Sequence, residues 1–79
     1  MKPGDIGTLI DNYKGFKPVK VRIESVDLSG NLVNFSLLEE WVRDLDTLKH
    51  RAGLRFNFKY TDFTNGILVE KLTFIPDIS

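Results

Sequence analysis

Apolar and polar residues alternate through most of this chain, and one stretch breaks that rhythm. Between Ser36 and Gly53, Leu37, Trp41, Leu45, Leu48 and Ala52 recur at helical spacing, and Leu38 and Val42 widen the stripe. Ser36 and Glu39 have the spacing of a capping box, in which each side chain satisfies a backbone N–H of the first turn. Gly53 stands where a helix end takes positive φ. Glu39 and Glu40 open the stretch, and Lys49, His50 and Arg51 close it, the order a helix dipole favours. The pattern predicts one amphipathic helix over about 37–52, with Trp41 in its buried stripe.

The flanks read as strands. Ile6–Asp11 forms the first, with Gly7 and Leu9 on one face and Ile6, Thr8 and Ile10 on the other. Residues 12–18 are a loop punctuated by Asn12, Gly15 and Pro18. Val19–Val26 is the second strand: Val19, Val21 and Ile23 point inward, Lys20, Arg22 and Glu24 outward. Val26 breaks that parity, which predicts a bulge near Glu24 and Ser25. Asp27–Asn31 is a tight turn into a third strand, Leu32–Phe35, with Val33 and Phe35 inward. Beyond Gly53, Phe56, Phe58 and Tyr60 alternate with Arg55, Asn57 and Lys59. Thr64-Asn65-Gly66 then predicts a closing hairpin that pairs Phe63 with Ile67, Phe58 with Leu72 and Phe56 with Phe74. The expected class is α+β, in the order β-β-β-α-β-β. Five antiparallel strands form a strongly bent sheet or a small, partly open barrel, SH3-like or OB-like, with the helix packed on it or plugging one end.

Seventy-nine residues make one domain, 1–79, with a single modest core. There is no cysteine, so no disulfide framework and no thiolate metal site. No apolar run approaches the length of a membrane span, and the first residues lack a signal-peptide core. The expectation is a cytoplasmic protein with no membrane partner. A single histidine without cysteine leaves no Cys–His nucleophilic pair and no His-rich metal set. His50 reads as a solvated residue at a helix end, and no phosphate-binding glycine loop is present. The chain is therefore expected not to be an enzyme and to need no cofactor or metal.

Net charge is zero, but its distribution is uneven: Lys14, Lys17, Lys20 and Arg22 follow one another with no intervening anion. With Tyr13 and Phe16 in the adjoining loop they form the first candidate binding surface, Tyr13, Phe16, Lys17, Lys20 and Arg22. Cations beside aromatics suit a single nucleic-acid strand, whereas Lys20 and Arg22 also suit the solvated face of a half-buried strand. A second candidate patch is Phe63 and Ile67, joined by Val69, at the tip of the last hairpin. Exposed there, it would attract a protein partner or a second copy of the chain.

Residues 3–35 resemble the opening of SH3-like small barrels of the Tudor and KOW kind. Pro3-Gly4-Asp5-Ile6 is similar to their entry into strand one, and Gly15-Phe16-Lys17-Pro18-Val19-Lys20-Val21 to the start of strand two. Asp27–Phe35 is similar to the following turn and third strand. Phe16 and Phe35 match aromatic positions of strands two and three. Leu9 and Ile10 stand where Tudor cages carry a strand-one aromatic. The resemblance implies binding of methylated side chains, peptides or nucleic acid rather than catalysis. The resulting expectation is a non-enzymatic module for protein–protein interaction: an adaptor, regulator or inhibitor, of a kind found among phage and mobile-element accessory proteins. A nucleic-acid-binding barrel using the basic second strand is the alternative, and a homodimer is a further arrangement.

Overall fold

A computed structural model describes residues 1–12, 14–64 and 71–77. The first three strands fall where the alternation places them: β1 Ile6–Asp11, β2 Val19–Asp27 and β3 Leu32–Leu37. They form an antiparallel meander. Val19, Val21 and Ile23 of β2 are buried, as are Val33, Phe35 and Leu37 of β3. The β2–β3 register shifts between Ile23, paired with Phe35, and Ser25, paired with Asn34. Glu24 is the extra residue, so the inward face passes from odd to even positions. Val26 then pairs with Val33 and packs against the core. Its parity break is thus the sequence trace of a real bulge.

The turn into β3 is built by Asp27. Its carboxylate accepts the Gly30 N–H and the Ser29 hydroxyl, both at 2.9 Å. Asn31 follows with φ of 56°, a left-handed conformation that Asn tolerates.

The predicted helix is not formed. β3 continues through Ser36 and Leu37, and a separate two-stranded hairpin follows, β4 Trp41–Arg43 and β5 Leu48–His50. Burial explains the outcome. As part of β3, Leu37 is 1% exposed, and its N–H donates to the Leu54 carbonyl. The capping partners are engaged elsewhere. Ser36 donates its hydroxyl to Glu24 at 2.7 Å, and Glu39 accepts the backbone N–H of Lys20 at 2.9 Å. Leu45, a stripe residue, lies at the hairpin turn, 87% exposed. A lone helix of this length is marginal in water, and tertiary packing overrides its propensity.

Among the described residues, the two strands of the expected closing hairpin do not pair with each other. β6 Arg55–Phe58 pairs with β3, and β7 Leu72–Pro76 pairs with β1. The order is β6-β3-β2-β1-β7, so β6 and β7 are the edges of an open five-stranded antiparallel sheet. Phe56 therefore faces Phe35 and Phe74 faces Leu9, not each other. Between them a short helix, α1 Tyr60–Thr64, turns the chain away from β6. Asn31 holds its first turn: the side-chain oxygen accepts the Thr61 N–H, and the carbonyl accepts that of Tyr60. Ile67 and Val69 lie outside the described residues. Among the described residues, no helix is long and apolar enough to cross a membrane.

Gly7 lies opposite Pro76 where β7 packs closely on β1. A Cβ there would meet the Ile75 carbonyl oxygen, and would lie 2.8 Å from both the Phe74 ring and Pro76 Cα. Because backbone cannot step aside as a side chain can, Gly7→Ala should cost about 1–3 kcal/mol, read from the urea midpoint. The Asp27 turn makes a pH prediction. The Gly30 N–H, then the Ser29 hydroxyl, hold the Asp27 carboxyl below its ordinary value. A depressed folded value adds stability that is full above the unfolded carboxyl pKa of about 3.9 and is lost as pH falls through the folded value. Protection of the Gly30 amide relative to its intrinsic exchange rate should fall over that acid range, and Asp27→Asn should remove the dependence.

Candidate functional site

The segment expected to be a helix is instead one wall of a cleft. Asp46 shapes the β4–β5 turn by accepting the Arg43 guanidinium through two bonds, 3.1 and 2.6 Å, and the Leu48 N–H. This pairing raises the Arg43 pKa and lowers that of Asp46. Trp41 and His50 are cross-strand partners. The hairpin is clamped to the β1–β2 loop: Phe16 bridges to Arg43, and the Lys17 N–H donates to the Val42 carbonyl at 2.7 Å.

Phe16 fills the junction. Its ring centroid is 4.5 Å from that of Trp41 and 5.5 Å from His50, and the Arg43 guanidinium carbon lies 5.1 Å from its centre. From β6, Phe56 meets His50 edge-on at 5.1 Å and Trp41 at 5.4 Å. Phe58 completes this aromatic wall, 6.2 Å from both Trp41 and Phe56. The cleft between these elements holds about 340 Å³. Its remaining boundary comes from Asp11 and Lys14 beside the loop, Asp62 on α1, and Lys71 and Leu72 at the start of β7.

The rim charges have identifiable duties. Asp11 accepts the backbone N–H groups of Lys14, at 3.1 and 3.2 Å, and of Phe16 at 3.3 Å, which shapes the loop. Asp62 faces the Lys71 ammonium at 3.7 Å. Among the described residues, no three of His, Cys, Asp and Glu cluster as metal ligands.

Of the first candidate surface, Phe16 lines the cleft at 9% exposure, so it acts from within the fold and not as a projecting residue. Lys17 pairs with Asp44 at 3.2 Å and Lys20 with Asp77 at 2.6 Å, both pairs solvent-exposed. Glu39 also approaches the Lys20 backbone, so anions distant in sequence interrupt the cationic run. Arg22 is exposed on β2, paired across the sheet with Ile6 and Ser36. Tyr13 lies outside the described residues. Of the second patch, Phe63 is 4% exposed and edge-on to Phe35 at 6.5 Å. It is a core residue and cannot serve as an exposed contact; α1 turns it inward. Ile67 lies outside the described residues.

Sequence reasoning did not assemble Trp41, His50, Phe56 and Phe58 into a site. They come from three strands, and the helical reading sent His50 to solvent. The available signal was Phe56 and Phe58 on one face of β6 and the turn chemistry of Asp44-Leu45-Asp46-Thr47.

Trp41 is 3% exposed, and its indole N–H has no acceptor among the described residues. An unsatisfied buried donor costs about 1–3 kcal/mol. Trp41→Ala should destabilise by about 3–5 kcal/mol, as for other buried large aromatics. Trp41→Phe, which removes the donor and keeps a ring, should cost less than about 1.5 kcal/mol. Equal losses in urea denaturation would show that the indole N–H is satisfied. No protein-family model, curated protein or solved structure matches this chain.

Proposed function

We propose that the chain is a non-enzymatic binding module of the SH3-like small-barrel kind, and that it engages a protein partner at the aromatic cleft. The observation that carries this reading is the 340 Å³ cleft walled by Phe16, Trp41, His50, Phe56 and Phe58. Its volume lies within the range of ligand sites, and a concave apolar surface with a few polar groups at its margin is the usual form of such sites. The SH3-like assignment rests on the resemblance of residues 3–35 to the opening of such barrels. The nucleic-acid alternative rests on the basic second strand, and the pairing of Lys17 and Lys20 with Asp44 and Asp77 weakens it.

Selection from a random peptide library separates the two. Selected peptides should bind wild-type protein, lose at least about tenfold in affinity to His50→Ala, a change of about 1.4 kcal/mol, and bind Lys20→Glu/Arg22→Glu unchanged. If no peptide is selected, and a random single strand binds in a salt-dependent way that Lys20→Glu/Arg22→Glu abolishes, the nucleic-acid reading replaces this one.

A further inference from the structure

We infer that the cleft takes a neutral, planar aromatic side chain of its partner, a Trp, Tyr or Phe, in preference to a cation or a phosphate-bearing group. This inference rests on the cleft being the binding site. The first argument is the charge at the rim. Among the described residues, Asp11 and Asp62 are matched in number by Lys14 and Lys71, so the charges of these four rim residues cancel. Asp62 already faces Lys71, and Asp11 already accepts backbone N–H groups. An entering cation would meet two ammonium groups and carboxylates that are engaged elsewhere. An entering phosphate would have one cation without an ion pair among the described residues, Lys14, and two carboxylates beside it. Either charged group would give up strong hydration without a dedicated counter-charge, whereas a neutral ring gives up far less.

The second argument is the walls. His50, Phe56 and Phe58 are half-buried and lie at steep angles to one another: 72° between His50 and Phe56, 75° between Phe56 and Phe58. Such walls offer both ring faces and ring edges, so an entering ring finds stacked and edge-on partners together. That arrangement is favoured beyond simple area burial. The third argument is volume. A space of 340 Å³ holds about ten waters at their liquid volume, enough for one large side chain.

The test uses the single tryptophan, which gives one indole N–H resonance. N-acetyltryptophanamide, N-acetylleucinamide, tetramethylammonium and adenosine monophosphate are titrated separately against labelled protein. The expected result is saturable shifts of the Trp41 indole and His50 ring signals with N-acetyltryptophanamide. Its affinity should exceed that of the leucine amide by roughly three- to tenfold, the range of an aromatic pair. His50→Ala and Phe58→Ala, each checked for a dispersed spectrum, should each abolish that preference. Tighter saturation by tetramethylammonium or the nucleotide overturns the inference. So does a set of selected peptides that bind in the cleft but carry no aromatic residue, and this leaves the cleft as the partner site. If no probe or peptide perturbs the cleft, both the inference and the reading beneath it fail.

Discussion

The contacts around Phe35 hold this fold together. The ring is fully buried in the middle of β3 and meets Phe56 and Phe58 of β6, Phe63 of α1 and Trp41 of β4. One side chain thus joins the central sheet, its β6 edge, the short helix and the separate hairpin. Of the remaining core, Leu9, Val19, Val21, Ile23, Val33 and Leu37 are aliphatic and lie along the meander, while Leu72 lies on β7 and Phe16 in the loop between β1 and β2. An 79-residue chain has little surplus stability, so fixing four elements through one ring cluster makes their positions mutually dependent. The cleft is where this cluster stops short of filling the space between β4–β5 and β6.

The parts of the fold legible in the sequence are those in which local pattern and tertiary packing agree. Val19, Val21 and Ile23 alternate cleanly, and Val26 out of step announces the bulge. The 36–53 stretch was misleading for an identifiable reason. A spacing of four, as between Leu37 and Trp41, lies on one face of a helix and also on one face of a strand. Leu38, Val42, Leu48 and Ala52 were the stripe residues that broke the strand period and argued for a period of about 3.6. Leu48 is instead 39% exposed and Ala52 lies in a turn. The decisive factor was long-range: sheet pairing for Leu37 and facing rings for Trp41. The site was harder still to read, because residues 16, 41, 50, 56 and 58 share no local pattern. Phe16 alone among them stood in a candidate surface on sequence grounds, and there it was grouped with lysines that the fold sends elsewhere.

The distribution of charge shows why linear order is a poor guide to surface electrostatics in a neutral protein. Lys14, Lys17, Lys20 and Arg22 read as a cationic run, yet Asp44 and Asp77 come to lie against two of them from distant parts of the chain. Such exposed pairs contribute little to stability, typically under about 1 kcal/mol, but they flatten the local potential. Recognition by a surface of this kind relies on shape and apolar contact more than on steering.

The β1–β7 pairing has a consequence for modular use of the domain. Gly7 lies opposite Pro76, and the Asp77 N–H donates to the Ile6 carbonyl at 2.8 Å, so the two ends of the folded unit emerge side by side. Such an arrangement lets a domain be spliced into a surface loop of a host protein without prising that loop apart. It also lets the ends be tied by a short linker and the chain reopened at the exposed Ser29-Gly30 turn, with every strand pairing intact. The fold is, in topological terms, nearly a closed ring whose point of opening is a matter of choice.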